Sequence, residues 1–252
     1  GQRLNGTILV PFPVESCLSG VRNQSSVHDD VPPHSPYMSY RTEIRVTKAE
    51  QTATLLHFGA VDWQAVVYVN GVWAGSHEGG YSPFSFGISH LVHDGVNEIF
   101  LSVYDPTNDG SQPFGKQRVS AMYDPAGDTY APVSGIWQSV WVESVPTRHI
   151  SALKISADTT HLHLNVQTSV PDAAVVNITV TANGKHVLSG AGRANIPFSL
   201  KLPPPVRLWS PESPFLYNLS VVYGTDRVES YFGARAVSLC KDASGVQRPC
   251  IN

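Results

Sequence analysis

The sequence is poor in charge, since only 15% of its 252 residues are Asp, Glu, Lys or Arg and the formal net charge is −3. Without a basic excess, the composition predicts neither a nucleic-acid partner nor an anionic membrane surface. It also lacks any run of eighteen apolar residues, and we therefore expect no membrane span. An initiator Met and the basic and apolar regions of a signal peptide are missing too, and we interpret Gly1 as a processed or truncated start.

Helical periodicity is almost absent, and residues 47–56, the best candidate, are short and uncapped, so we predict a loop there. Nineteen prolines and twenty glycines suit short strands joined by turns instead. Apolar and polar residues alternate at the end of Tyr37–Val46 and in 97–103 and 138–143. Gln64–Val69 is followed by Asn70-Gly71, which predicts a tight hairpin with the strand that begins at Val72. Strands without intervening helices predict a sandwich or a jelly roll.

The sequence pattern changes near Pro146, after which the predicted strands are shorter and richer in Thr and Val. We predict such strands at 152–156, His161–Thr168, 175–181 and Tyr217–Tyr223. About ninety residues with some seven short strands are typical of an immunoglobulin-like sandwich, here without the usual pair of intersheet cysteines.

Cysteine is scarce, with three in the chain. Cys240 and Cys250 flank a polar, glycine-containing stretch that would close a small loop, and two unpaired thiols are the open alternative. Four sequons for N-glycosylation exceed the roughly two expected by chance, which favours a secreted or lumenal protein. Their acceptors are Asn5, Asn23, Asn177 and Asn218.

Standard catalytic signatures are missing, including the Gly-x-Ser-x-Gly elbow and the phosphate-binding loop, and we predict no cofactor. His161 and His163 share one face of a predicted strand, but no third ligand follows, so we expect a solvent-facing pair and no metal site. Asn97-Glu98 resembles the acid/base pair of many glycosidases. Because a turn precedes it and a strand follows it, we expect the pair to open that strand.

Aromatic residues crowd the first half of the chain. Their faces suit the CH groups of sugars, whereas most aromatic residues of any sandwich belong to its core. The set comprises Trp63, Trp73, Tyr81, Phe84, Tyr123, Tyr130, Trp137 and Trp141. From the residues alone we infer a protein of two sandwiches that binds carbohydrate.

Several longer stretches resemble the N-terminal half of glycoside hydrolase family 2, the family of β-galactosidases, β-glucuronidases and β-mannosidases. In the first half they are VPFPVESCLSGV (10–21), LHFGAVDW (56–63), VNGVWAGSHEGGYSPFSF (69–86), VYDPT (103–107), QPFGKQ (112–117) and PVSGIWQSVWVE (132–143). In the second half they are LWSPESPFLY (208–217) and YFGAR (231–235). Their order and spacing cover essentially the whole chain.

This resemblance implies an all-β chain, a jelly-roll β-sandwich followed by an immunoglobulin-like β-sandwich. The expected domains are a galactose-binding-like, sugar-binding jelly roll at 1–147 and an Ig-like domain at 148–239. Residues 240–252 would then be a linker toward a catalytic (β/α)8 barrel, which is missing here. In the family that barrel carries both catalytic glutamates. A retaining glycosidase needs two carboxyl groups about 5 Å apart. Because the family carries this pair on the barrel, we predict no catalytic residue in this chain itself.

In some family members, loops of the jelly roll reach over the barrel and help to hold the substrate. The corresponding stretch here precedes Pro132, and the resemblance makes Asp128 a candidate acceptor for sugar hydroxyls, with Tyr130, Lys116 and Gln117 on the same rim. The alternative for Asp128 is a loop-capping role after Gly127. Trp137 and Trp141 are expected in the core.

Three hypotheses follow for the protein's role. The first is the non-catalytic front part of a secreted family 2 glycosidase, which buttresses the barrel and shapes substrate entry. The second is a stand-alone carbohydrate-binding module with weak glycan affinity. The third is a structural component of an extracellular assembly that binds a protein partner through an exposed sheet edge.

Overall fold

The computed structural model describes residues 6–21, 35–122, 124 and 127–252, which form eighteen strands and two short 3-10 helices, Cys17–Ser19 and Val119–Met122. These residues divide into two compact units, one ending at Ser144 and one beginning at Val145. This division falls three residues before the predicted domain boundary. The described residues include no helix long and apolar enough to cross a membrane.

The first unit is built from nine strands, the last of which ends two residues beyond the division. They are β1 (Tyr37–Val46), β2 (Thr52–Phe58), β3 (Val61–Asp62), β4 (Gln64–Val69), β5 (Val72–Glu78), β6 (Phe84–Gly87), β7 (Gly95–Tyr104), β8 (Gly135–Ile136) and β9 (Val140–Pro146). One sheet has the order β1-β7-β4-β5, a second has the order β6-β2-β9, and β3 pairs with β8. Together they form the predicted jelly-roll sandwich.

The strands of the first unit bury one face, because side chains alternate between the core and the outer surface. In β4 and β7 every second residue is buried, and the buried residues form one core with β2. The predicted hairpin is confirmed, because Asn70 and Gly71 both have positive φ between paired Val69 and Val72.

The loop prediction for residues 47–56 is wrong from Thr52 onward. Thr54, Leu56 and Phe58 are buried on one face of β2, so this segment follows a strand period and contributes to the core.

Asn97 is the third residue of β7, which begins at Gly95, so the Asn97-Glu98 pair lies near the start of the strand as expected. Its buried side chain donates from Nδ2 to the carbonyl oxygens of His93 and Gly95, at 2.8 and 3.1 Å. Its Oδ1 accepts from the His93 amide at 2.9 Å and from Asn70 Nδ2 at 2.8 Å. These bonds fix the turn before β7, and the amide therefore has a structural role.

The second unit contains seven strands and a final hairpin. The seven are β10 (Ile150–Ala157), β11 (His161–Thr168), β12 (Val175–Ala182), β13 (Lys185–Arg193), β14 (Phe198–Lys201), β15 (Tyr217–Tyr223) and β16 (Asp226–Phe232). Sheets of three (β10-β11-β14) and four strands (β13-β12-β15-β16) give the predicted Ig-like sandwich.

An aromatic pair on neighbouring strands of the four-stranded sheet contributes to the core of the second unit. The Tyr217 ring stacks on Phe232 with centroids 5.2 Å apart, and both side chains are buried with Leu219 and Val221. The Tyr217 hydroxyl accepts a hydrogen bond from the Arg207 amide at 2.8 Å. The aromatic pair thereby joins the core to the proline-rich segment before β15.

Residues 240–252, the expected linker, form most of a hairpin. It consists of β17 (Val237–Lys241) and β18 (Gln247–Ile251), and Cys240 and Cys250 are joined by a disulfide with a Cα–Cα distance of 5.9 Å. The Asp242 carboxylate caps the turn by accepting from the Ser244 and Val246 amides. Both strands are largely exposed, so no apolar alternation indicated them in the sequence.

Candidate functional site

Three segments of the first unit meet around two polar side chains, Asp62 and Gln117. Asp62 ends β3, Tyr81 lies in the loop between β5 and β6, and Gln117 lies between β7 and β8. Gln117 Nε2 donates to Asp62 Oδ2 at 3.3 Å and to the Tyr81 hydroxyl at 3.1 Å. Its Oε1 accepts from the Val133 amide at 2.6 Å. The amide of Gln117 therefore ties all three segments together.

The placement of Gln117 corrects the prediction that it lines a rim. Its side chain is buried, and its oxygen and both donor directions of its nitrogen are engaged within the protein. A ligand at the surface would find no free polar atom there, so Gln117 acts as a support for its neighbours.

The other three predicted rim residues lie together and are exposed. Lys116 Nζ is 3.4 Å from Asp128 Oδ2, and the Tyr130 hydroxyl accepts from the Lys116 amide at 3.3 Å. Residue 130 runs beside 116–118, with backbone bonds from the Tyr130 amide to the Lys116 carbonyl and from the Arg118 amide to the Tyr130 carbonyl. Among the described residues no backbone amide donates to Asp128, so the structure offers no support for a capping role.

Exposed aromatic rings lie beside this polar group. Tyr81 is 54% and Tyr130 51% exposed, and Tyr81 meets Trp137 edge-on with centroids 6.1 Å apart. The half-buried Trp137 donates from Nε1 to the Gly80 carbonyl at 2.7 Å. The assignment of Trp141 to the core is wrong, because its ring is 46% exposed and stacks on His57.

Asp62 is a buried carboxyl group under this surface. Burial, more than the nearby charge of Asp105, raises its pKa to about 6, against the opposing effect of the bond from Gln117. Gly80 lies directly against the carboxylate, where any Cβ would overlap its oxygens. The pKa of Tyr81 is raised as well, mainly by burial. Close packing thus holds Asp62 away from water.

Two more acidic residues of the same unit are shielded from solvent, Glu15 in part and Asp105 fully. Glu15 Oε2 accepts from the Ser134 amide at 3.1 Å, and burial raises its pKa to about 7. Asp105 is buried, with Oδ1 bonded to the Thr107 amide at 2.8 Å and Oδ2 without a partner among the described residues. Sequence reasoning missed Glu15, Asp62 and Asp105, although each directly follows apolar residues.

The remaining predicted residues have varied positions. Asn177 and Asn218 lie on exposed positions of β12 and β15, whereas Asn5, Asn23 and Tyr123 lie outside the described residues. His163 Nε2 is 3.0 Å from Asp158 Oδ2, beside His161 on β11. In the described part of the chain, no three His, Cys, Asp or Glu side chains are grouped to hold a metal ion.

Comparisons with known proteins agree with the two-unit fold. The family model described as "Glycosyl hydrolases family 2, sugar binding domain" matches residues 21–146, and the model "Glycosyl hydrolases family 2" matches residues 140–235. Human β-glucuronidase is 30% identical over 200 residues, which cover 70% of this chain and 30% of that protein. The β-galactosidase large subunit of Leuconostoc lactis is 27% identical over 202 residues, covering 75% of this chain and 30% of the subunit.

Solved structures show the same fold. The apo β-glucuronidase of Ruminococcus gnavus matches 91% of this chain and 40% of its own with a TM-score of 0.69 at 22% identity. The chain thus spans less than a third of the length of the two relatives above. Because a family model matches half of its length and a second one follows directly, the chain belongs to glycoside hydrolase family 2 and contains the N-terminal portion of that family.

Proposed function

We propose that this chain is the non-catalytic N-terminal part of a secreted family 2 glycosidase that hydrolyses β-glycosides with retention. In this proposal the two sandwiches support a catalytic barrel, and the first one shapes substrate access. The family membership and the short span relative to whole enzymes support the assignment. Secretion is supported by the Cys240–Cys250 disulfide, since such bonds persist in oxidising compartments.

The observation that carries the proposed role in substrate access is the exposed group of Lys116, Asp128 and Tyr130. Asp128 would accept hydrogen bonds from sugar hydroxyls, and Lys116 would donate to them. The exposed faces of Tyr130 and Tyr81 offer apolar platforms for the CH groups of a sugar ring. Gln117, fixed below, keeps Tyr81 in place beside them.

The proposal is tested on the full-length enzyme with aryl β-glucuronide, β-galactoside and β-mannoside substrates. At least one should be hydrolysed, and Asp128→Asn and Tyr130→Ala should raise KM several-fold while kcat changes little, because the rim binds substrate away from the reacting bond. Lys185→Gln, an exposed lysine of the second unit, is the matched control.

Two results would contradict different parts of this proposal. An absence of hydrolysis in a folded full-length chain would reject the glycosidase assignment. Unchanged KM values in both rim variants would reject the access role and leave the assignment intact. If the natural chain instead ends at Asn252 and binds glycans, it is a stand-alone carbohydrate-binding module. Capture of a defined protein partner without any glycan affinity would indicate a structural component of an extracellular assembly.

A further inference from the structure

We propose that Asn177 and Asn218 carry N-linked glycans that cover one outward face of the four-stranded sheet in the second unit, and that the Tyr231 ring packs against the sugar on Asn218. The proposal requires that the chain enters the secretory pathway, as proposed above, but it is independent of glycosidase activity.

Strand geometry presents both sequons to solvent. Side chains two residues apart in a strand lie on the same face, so Asn177 shares its face of β12 with Thr179, and Asn218 shares its face of β15 with Ser220. Val176 and Leu219, the neighbours of these asparagines, point into the core. Acceptor amide and sequon hydroxyl are thus both outside the sandwich.

The two acceptors lie on the same sheet face. In the β12–β15 register Thr181 is opposite Asn218 and Asn177 is opposite Val222. Along the strand direction, Asn177 and the position opposite Asn218 are therefore four residues apart, which corresponds to roughly 14 Å. Two glycans at this spacing would fit side by side and cover most of the face.

Both acceptor amides are free. Asn177 and Asn218 are exposed although both lie within strands, and neither side chain makes a hydrogen bond to the described part of the protein. Asn70, Asn97 and Asn195, by contrast, use their amides to hold turns. The two sequon asparagines therefore have no visible structural task, and attachment of a sugar would break no contact in the fold.

Tyr231 gives the Asn218 site a second feature. It lies directly opposite Asn218 in the β15–β16 register and is 65% exposed. Opposed residues on one face have Cβ atoms about 4.5–5.5 Å apart, close enough for the first sugar to reach the ring. The apolar CH face of that sugar would cover the phenol, which has no cover from the described protein.

The modification needs a lipid-linked pyrophosphate oligosaccharide as the sugar donor. The amide nitrogen forms a bond to the anomeric carbon, the bond from that carbon to the pyrophosphate oxygen breaks, and the amide proton leaves with the lipid pyrophosphate. No group is oxidised or reduced. The bulky product remains on the surface, where glycans are tolerated.

The test is glycopeptide mapping of the full chain purified from a eukaryotic secretory host. Trypsin would release the two sites on separate peptides, residues 155–185 and 208–227. Each should carry a glycan, and an amidase that removes it should convert that Asn to Asp. Two unmodified peptides from the folded, secreted wild-type chain would overturn the proposal, whatever its glycosidase activity.

Matched variants identify each site. Thr179→Ala should remove the glycan from peptide 155–185 only, and Ser220→Ala should remove it from peptide 208–227 only. Thr181→Ala changes the same face of β12 without touching a sequon, so it should keep both glycans. Loss of both glycans in Thr181→Ala would contradict sequon-specific attachment.

The contact with Tyr231 has its own measurement. In the Thr179→Ala chain, which keeps only the Asn218 glycan, enzymatic removal of that glycan should lower Tm. This difference should shrink when Tyr231→Ala is added but persist with Tyr231→Phe, which keeps the ring. A glycan-dependent Tm difference that is equal in all three chains would reject the packing of Tyr231 on the sugar.

Discussion

At the scale of single residues, Gln117 shows how a predicted ligand contact becomes a support. The resemblance places it next to Lys116 on the rim, and the two are neighbours in the structure. Only the side-chain directions separate them, since Lys116 faces solvent and Gln117 points inward to Asp62 and Tyr81. Both residues lie in the segment between β7 and β8, where no regular period indicates which side chain faces solvent.

Replacement of Gln117 by Leu should destabilise the first unit by about 2–4 kcal/mol. Asp62, the Tyr81 hydroxyl and the Val133 amide would each lose a buried partner. The free energy of unfolding, measured by chemical denaturation, gives the cost. Lys116→Met serves as the control and should stay within about 0.5 kcal/mol. Equal stability of the two variants would contradict a supporting role for Gln117.

The stability of the first unit should also depend on pH through Glu15. Its carboxyl group has a pKa of about 7 in the folded chain against an ordinary 4.5, so the folded chain holds this proton more tightly than the unfolded chain. The Glu15 contribution is therefore greatest below pH 4.5 and is lost as pH rises from 4.5 to 7. Asp62 acts in the same direction between 3.8 and about 6.

Glu15→Gln removes this titration and should reduce the loss of unfolding free energy between pH 5 and 7.5 by about 1–3 kcal/mol. Denaturant titrations at the two pH values measure the change. Glu212→Gln, at an exposed position of the second unit, should leave the change in unfolding free energy between the two pH values as it is in the wild-type chain. If Glu15→Gln shows the same change in unfolding free energy between the two pH values as the wild-type chain, Glu15 does not bind a proton in this pH range.

At the scale of elements, strands with one buried face could be predicted from the sequence. Tyr37–Val46, His161–Thr168 and Tyr217–Tyr223 end where the alternation of apolar residues ends. The final hairpin and β2 were missed, for different reasons. Both strands of the final hairpin are exposed, and β2 was hidden by a preceding stretch that resembles a weak helix.

The candidate site was predictable only in part. The resemblance brought Lys116, Asp128 and Tyr130 to one rim, and the structure places the three together. The shielded acids Glu15 and Asp62 belong to no motif, and each is bonded to a residue far away in the chain, Ser134 for Glu15 and Gln117 for Asp62. Period and turn signals describe local structure and carry no such information.

The final hairpin should depend on its disulfide. The double variant Cys240→Ser with Cys250→Ser lacks the crosslink between the two strands of the hairpin. A disulfide over such a short loop stabilises the folded hairpin by about 2–3 kcal/mol. Hydrogen exchange of residues 236–252 should therefore accelerate, while β12 and β15 keep their protection. Cys17→Ser, at the exposed free cysteine, is the control. Unchanged protection of the hairpin in the double variant would show that its backbone pairing suffices.

At the scale of the whole molecule, the two cores share no residue. One is formed by β2, β4 and β7 with Ile88, and the other by β11, β12 and β15. Each sandwich buries its own apolar face, so each has the means to fold as a separate unit.

Truncation of one core should therefore leave the other intact. Ile88→Ala and Leu219→Ala each remove a fully buried branched side chain and should cost about 2–5 kcal/mol in their own unit. Hydrogen exchange should accelerate in β4 and β7 for the first variant and in β12 and β15 for the second. Accelerated exchange in both units of either variant would show that they unfold together.

The strand order of the first unit has a kinetic consequence. Its β1 pairs with β7, Tyr37 opposite Tyr104, so the edge of the sheet cannot close until most of the unit has left the ribosome. In the second unit β10–β11, β12–β13 and β15–β16 are pairs of consecutive strands. Local pairings form faster than distant ones, so pulse-labelled refolding should protect the second unit first. During synthesis, the half that emerges first would then be the one that waits longest in an aggregation-prone form, and the demand for chaperones would concentrate there.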